Sequence, residues 1–336
     1  MYKPKRALFH KESLDYPKGK LIYDMLRKDG INIEILKSNR VTQIPGKTAE
    51  QAYNEAKKTL VIAVRKTLKF QSCKPSAHYQ LPLVTSCPGL CQYCYLQTTL
   101  GKKPYISVYV NTDEILAKAE DYINEKKEET IIFEGAATSD PLPLEHYTNN
   151  LAETIEFFGR QKRGRFRFVT KFDNVDELLN LKHNNHTEFR FSINTEKIIS
   201  EYEHRTASAK RRVEAAKKVS KSGYPMGFLI APIFLYPNWK KDYINLLESL
   251  AENLYDVPTL TFELIAHRFT KRAKQNILDV FPNTTLPLDE EERKLKYGQF
   301  GYTKYVYQKE QYGELEEFFK ENITKLFPKA KILYIV

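Results

Sequence analysis

Three cysteines fall within eight residues, in Ser86-Cys87-Pro88-Gly89-Leu90-Cys91-Gln92-Tyr93-Cys94-Tyr95. The spacing is CxxxCxxC, and only one other cysteine, Cys73, occurs in the 336-residue chain. Thiolates are the usual protein ligands of iron–sulfur clusters. Three of them on one tight loop can hold three corners of a [4Fe–4S] cube, leaving the fourth iron free for a small-molecule ligand. The same residues could instead bind zinc, completed by His78 or Cys73. Structural zinc, however, usually takes paired C-x-x-C ligands, each pair on its own knuckle. Here a single group of three stands alone, which favours a cluster on Cys87, Cys91 and Cys94. So few cysteines, so closely grouped, suit a metal site in a reducing compartment better than a disulfide framework.

The elements that must position this loop can be read from hydrophobic periodicity. Short β-branched and aromatic runs predict strands at Leu81–Thr85, Thr130–Glu134, Phe166–Lys171, Phe189–Ile193, Gly227–Ala231 and Leu260–Ile265. Helical patterns lie between them at Thr112–Glu125, Leu144–Phe158, Val175–Leu181, Ala207–Ser222 and Lys240–Asn253, with Thr112 as the expected N-cap of the first. Alternation of this kind predicts parallel βα units joined by right-handed crossovers. Six units are too few for a closed eight-stranded barrel. The expected fold is therefore α/β, a partial (βα)6 TIM-type barrel, with a doubly wound sheet as the second reading. Residues 1–75 read as an N-terminal extension, 76–280 as the barrel and 281–336 as a C-terminal segment. That last segment holds a hairpin over Tyr297–Tyr307, a helix over Leu315–Leu326 and a final strand, Ala330–Val336.

The cysteine loop follows the first predicted strand, where a barrel carries its active-site loops. At or beyond the other strand ends stand Glu134 with Ser139 and Asp140, Lys171, Ser192 with Asn194, and Ala231-Pro232. These groups can bind an amino acid, a carboxylate and a ribose. The CxxxCxxC spacing, with an aromatic before the last cysteine, is the signature of radical S-adenosylmethionine (SAM) enzymes. Their cofactor binds the open iron through its methionine amino and carboxylate groups.

Lys+Arg total 53 against 42 Asp+Glu, a net charge of +11 that favours a polyanionic partner such as nucleic acid. Lys294, Lys296, Tyr297, Phe300, Tyr302 and Lys304 form a basic, aromatic stretch suited to an unstacked lesion. Arg268, Lys271, Arg272 and Lys274 form a second basic run able to hold phosphates. The basic amino terminus is followed by no apolar core of a signal, and no run approaches the roughly 18 apolar residues of a membrane span. A cytoplasmic protein with no membrane partner is expected.

Nearly end to end, the chain resembles the spore photoproduct lyase family. The resemblance rests on Thr67-Leu68-Lys69-Phe70, Lys74-Pro75-Ser76-Ala77, Cys94-Tyr95-Leu96-Gln97-Thr98-Thr99-Leu100-Gly101, Lys103-Pro104-Tyr105-Ile106 and Thr138-Ser139-Asp140. It continues through Arg167-Phe168-Val169-Thr170-Lys171, Phe189-Arg190-Phe191-Ser192-Ile193-Asn194, Thr261-Phe262-Glu263-Leu264-Ile265 and His267-Arg268-Phe269-Thr270-Lys271. It implies a [4Fe–4S] cluster and SAM as cofactors, and lesion-bearing DNA as partner. The implied reaction reverts 5-thyminyl-5,6-dihydrothymine to two thymines. A deoxyadenosyl radical takes hydrogen from C6 of the dihydrothymine half, the methylene bridge breaks, and the thymine-methyl radical takes a hydrogen from the protein. The resemblance also implies an electron donor such as flavodoxin or ferredoxin. Residues matching the family's SAM contacts are Tyr95, Ser139, Asp140, Lys171, Ser192 and Ala231, with Lys171 pairing the methionine carboxylate.

Two stretches depart from the family pattern. The hydrogen-donor cysteine before Thr-Ser-Asp is replaced by Ala137, and the hairpin's Gly-Arg-Tyr-Gly is Gly298-Gln299-Phe300-Gly301. Phe300 keeps a ring that can stack or wedge, while Gln299 lacks the arginine's charge towards phosphate or base. Cys73 is the remaining thiol and the expected hydrogen donor, with Tyr93 and Tyr95 as a relay back towards deoxyadenosine. Tyr93 packing on adenine, and Cys73 as a small buried hydrophobe, are the plainer alternatives. Ala137 and Gln299 also leave room for a radical SAM enzyme of different substrate specificity. A non-enzymatic metal-containing nucleic-acid-binding protein is the third reading, separated from both by SAM cleavage.

Overall fold

In the computed structural model, residues 1–336 are described except 43, 102, 127, 255–256, 259 and 298–302. Six parallel strands, Ala77–Gln80, Ile131–Glu134, Gly164–Thr170, Thr187–Ile193, Met226–Ile233 and Thr261–Ala266, lie side by side in chain order. A seventh parallel strand, Lys331–Ile335, pairs with Thr261–Ala266, and Ser72–Cys73 closes the other edge antiparallel to Ala77–Gln80. The order never reverses along the sheet. That is the winding of a barrel, whereas a doubly wound sheet reverses at a switch point. The architecture is thus a partial TIM-type barrel of eight strands, seven of them parallel, against the six units predicted.

Alternation along the strands explains both faces. Phe133, Phe166, Phe168, Phe189, Phe191, Phe228 and Phe262 are buried on the helix-covered face, where Phe158 of the helix Asn150–Arg160 stacks on Phe166. The residues between them, Glu134, Arg167, Arg190 and Glu263, point to the barrel interior and form an ionic lattice. Arg190 binds Glu263 at 2.7 Å and also binds Glu134, while Arg167 binds Glu263 at 2.5 Å. Ser76 Oγ donates to Glu134 Oε2 at 2.9 Å, and Arg167 donates to the Ser76 carbonyl at 2.7 Å. Each buried charge therefore has an opposite partner, the condition for tolerating charge away from water.

The N-terminal residues build a sheet of their own. Asn32–Leu36, Arg6–His10, Thr59–Ala63 and Ile106–Tyr109 pair in parallel, and Val84–Thr85 joins the edge antiparallel. The predicted strand Leu81–Thr85 is corrected here. The first barrel strand ends at Gln80, and Pro82, which has no backbone donor, takes the chain out of that sheet into the N-terminal one.

Other boundaries shift for local reasons. Thr112 is the first helical residue rather than the cap, because its hydroxyl donates to Asn150 Oδ1 and accepts from Lys18 Nζ, both at 2.8 Å. The predicted helix Leu144–Phe158 breaks at Asn149, whose φ is 51°. Glu145 from the first piece then accepts from the backbone N–H of Leu151 and Ala152, both at 2.8 Å, and caps the second. Val175–Leu181 forms only the 3-10 turn Asp176–Leu178, followed by a tight crossing where Gly159 meets the Lys182 carbonyl. The helix Lys271–Val280 was missed within the basic run. No helix among the described residues is long and apolar enough to cross a membrane.

Candidate active site

The cysteine loop is held from two sides. Leu90–Cys91 pairs antiparallel with Glu203–His204, and Ser86, at φ 67°, donates its N–H to the Thr138 carbonyl at 2.8 Å. A Cβ at Gly89 would stand 3.6 Å from Cys87 Sγ and 3.9 Å from Cys91 Sγ. The glycine thus leaves the space between those two thiols open. Burial pushes the Cys87 and Cys91 thiols up, opposed most strongly by the Lys57 ammonium at Cys87 and by Lys171 at Cys91.

Lys57 is buried, donating to the Cys87 carbonyl at 3.0 Å and to Ser86 Oγ at 3.2 Å. A buried cation beside three thiols suits a group of net negative charge, as a thiolate-ligated cluster is. Cys87, Cys91 and Cys94 therefore fit the cluster. Zinc fits less well. His78, the histidine nearest in sequence, has its Nδ1 occupied by the Ile132 N–H at 3.0 Å.

Beside the loop, Lys171 Nζ donates to Ser192 Oγ at 2.9 Å, Glu203 Oε1 at 3.0 Å and Tyr93 Oη at 3.1 Å. Tyr93 Oη donates in turn to Glu203. Arg212 grips the other Glu203 oxygen at 2.6 Å and also binds the carbonyls of Ser192 and Ala207, both at 2.9 Å. Burial alone would raise the Glu203 carboxyl, but Lys171 and Arg212 outweigh it and hold it down at about 2. Two cations sharing one carboxylate leave a surplus positive charge, and Lys171 is the partner that reaches solvent, with 19% of its side chain exposed.

Asp140 is buried, accepting from Lys171 N–H at 2.9 Å, Thr170 Oγ1 at 3.0 Å and Leu142 N–H at 3.3 Å. Burial pushes its carboxyl up to about 6 despite those donors. Ser139 bridges to Ser86 of the cysteine loop, and Ser192 and Ala231 sit on adjacent barrel strands. The residues matching SAM contacts thus come together along one rim.

Tyr95 Oη donates to the Ala137 carbonyl. The residue as a whole is 62% exposed. Burial, then the Cys94 and Cys73 thiols, raise its phenol. Cys73, on the edge strand beside the ionic lattice, is pushed up to about 11, mainly by burial and then by Glu134. Tyr95 and Ala137 are therefore in contact, Cys73 sits on the edge strand, and Tyr93 lies on the Lys171 side.

The hairpin strands are Lys294–Tyr297 and Thr303–Val306, with Lys296 directly opposite Lys304. Phe269 pairs with and stacks on Tyr305, and the Arg293 guanidinium lies 3.9 Å from the centre of the Tyr307 ring, fixing the hairpin base to the rim. Burial, Arg268 and Lys296 together hold the Lys304 ammonium down, so three cations face one region. Lys271 differs, lying 3.8 Å from Glu290, which Lys274 also binds at 3.2 Å. Gln299, Phe300 and Tyr302 lie outside the described residues. Sequence reasoning missed Glu203, Arg212, Lys57 and Tyr53. No spacing marks the first three, and only the i, i+4 relation of Tyr53 to Lys57 was visible.

A partial barrel with three thiols on the one loop after its first strand, and a cation-rich rim beside them, defines a radical SAM enzyme. The family model described as Spore photoproduct lyase matches residues 2–336. Spore photoproduct lyase of Clostridium acetobutylicum is 52% identical over 332 residues, covering 99% of this chain and 98% of its own length. That of Bacillus subtilis is 48% identical over 334 residues, covering 98% of each. A solved structure of spore photoproduct lyase complexed with dinucleoside spore photoproduct matches with a TM-score of 0.96 at 48% identity, over 99% of both chains. A double mutant with bound AdoMet and dinucleoside spore photoproduct gives 0.96 at 49%, again over 99% of both. The chain belongs to the spore photoproduct lyase family.

Proposed function

We propose that this chain repairs spore photoproduct in DNA, converting 5-thyminyl-5,6-dihydrothymine to two thymines. The observation that supports the reading best is the full-length match to the spore photoproduct lyase family, together with the Lys57 and Lys171 cations held beside the cysteine loop. When bound, the [4Fe–4S] cluster and SAM supply a carbon radical that takes the C6 hydrogen of the dihydrothymine half. Cys87, Cys91 and Cys94 hold three corners of the cluster. Lys171 receives the methionine carboxylate with the surplus charge it shares with Arg212. Tyr95, Ser139, Asp140, Ser192 and Ala231 shape the remaining SAM contacts.

After the methylene bridge breaks, Cys73 gives the hydrogen of its S–H bond to the thymine-methyl radical, forming a C–H bond and leaving a thiyl radical. A pKa pushed up to about 11 keeps that thiol protonated at neutral pH, which hydrogen-atom donation requires. Tyr95 returns a hydrogen atom to Cys73, and Tyr93, held beside Lys171, is the next member of the relay. Residues 76–280, with Cys73 just before them, carry this chemistry, and residues 281–336 together with Arg268 meet the DNA. Arg268, Lys296 and Lys304 hold phosphates, with Lys271 weakened by Glu290. Gln299, Phe300 and Tyr302 act at the lesion. A flavodoxin or ferredoxin supplies the electron.

The test is anaerobic reconstitution, followed by incubation with SAM, dithionite and dinucleoside spore photoproduct. Repaired thymine dinucleoside is expected. SAM cleaved to 5′-deoxyadenosine with the lesion untouched would overturn the substrate assignment.

A further inference from the structure

The N-terminal unit reaches the cysteine loop through one face of one helix. Thr48 caps the helix Ala49–Ala56 by accepting from the Gln51 N–H at 3.2 Å. Tyr53 and Lys57, four residues apart and therefore on the same face, are each only 1% exposed. Lys57 Nζ sits 5.4 Å from the centre of the Tyr53 ring and is anchored on the backbone and side chain of the loop itself, at the Cys87 carbonyl and Ser86 Oγ. Among the described residues its hydrogen-bond partners are these neutral oxygens, with no carboxylate at ion-pair distance. A buried lysine without a counter-charge is costly, so the anion that balances it must come from the group bound at the loop. Tyr53 lies against the same loop, packing on Leu90.

We propose that Tyr53 and Lys57 are positioning residues that set the reduction potential of the cluster, giving the N-terminal unit a part in the chemistry of the barrel. The inference rests on the cluster assignment above. One electron, from a one-electron donor such as dithionite, adds negative charge to the cluster and its thiolates, with no bond made or broken. The fixed Lys57 charge stabilises that more negative state and moves the potential upward. The Tyr53 ring, 5.4 Å from that ammonium, holds the charge beside the loop, and its hydroxyl contributes more weakly, since a phenol carries no net charge.

Lys57→Met removes the charge at nearly constant length, Lys57→Arg keeps it, and Tyr53→Phe removes only the hydroxyl. Iron and sulfide content and an EPR-monitored redox titration with dithionite are measured on each reconstituted full-length chain. Full clusters are expected throughout. The midpoint should move to more negative potential in Lys57→Met, less so in Tyr53→Phe, and return towards wild type in Lys57→Arg. A full cluster in Lys57→Met with the wild-type midpoint would overturn the inference while leaving the cluster assignment standing. A wild-type chain that holds no iron would overturn both. If Lys57→Met assembles no cluster, Tyr53→Phe decides, and a wild-type midpoint there overturns the inference.

Discussion

Cys73 shows how a residue's surroundings assign it a role that its spacing does not. Its thiol is held neutral to about pH 11 and lies beside the glutamates and arginines of the barrel interior. A thiol exchanges its hydrogen with solvent, so repair carried out in D2O should place one deuterium in a thymine methyl group. Cys73→Ala should retain cluster and SAM cleavage, lose that deuterium, and release adducts of the thymine-methyl radical with dithionite. Mass spectrometry of the products reads both effects, and a wild-type product pattern from Cys73→Ala would remove the role. Lys171→Ala tests the opposite rim. A charge-assisted hydrogen bond contributes roughly 1.5–3 kcal/mol, so SAM affinity should fall about tenfold or more with the cluster intact. Unchanged affinity by calorimetry would assign the carboxylate to another group. The three cluster cysteines were legible because their chemistry is local in sequence. Glu203 and Arg212 were not, because a buried charge finds its partners only when the strands and helices carrying them are packed together.

The elements were legible where one face is apolar and the other is not. The phenylalanine alternation of Gly164–Thr170 and Thr187–Ile193 marked both strands within a few residues. Boundaries failed where tertiary partners decide, as when Asn150 and Lys18 draw off the Thr112 hydroxyl, or when Pro82 hands the chain from one sheet to another. The hairpin was visible from its glycines, but not the placing of Lys296 opposite Lys304, where like charges oppose strand pairing unless an anion lies between. Each phosphate that a lysine neutralises adds about 0.9 to the salt dependence of duplex binding, so replacing both with alanine should lower that slope by roughly 2. Repair of the isolated dinucleoside should be unaffected. An equal fall in repair of both substrates would make the lysines part of the fold rather than of the DNA-binding surface.

At the scale of the molecule, strand alternation implied a barrel, but the sequence did not reveal the N-terminal sheet, whose fourth parallel strand arrives at Ile106–Tyr109 after the cysteine loop. Burial also leaves a signature on the stability of the whole chain. Glu145 is pushed up to about 7 by burial, although two backbone donors oppose it. A carboxyl whose folded pKa is raised binds its proton more tightly in the folded state, so it stabilises the fold below its unfolded pKa of about 4.3. That contribution is lost as pH rises from there to about 7. Relative to Glu145→Gln, the wild-type melting temperature should therefore fall by several degrees across that interval and stay level on either side. A pH-independent difference would contradict the buried, protonated carboxyl. The central claim is that a SAM-derived radical starts the repair at C6 of the lesion. Dinucleoside spore photoproduct carrying deuterium at that carbon tests it most directly, with the label followed by mass spectrometry through 5′-deoxyadenosine, SAM and the thymine product. With both C6 hydrogens of the dihydrothymine half replaced, one deuterium should appear in 5′-deoxyadenosine or SAM and the other should stay at C6 of the repaired thymine. An adenosyl group left unlabelled after turnover of that lesion would contradict the claim.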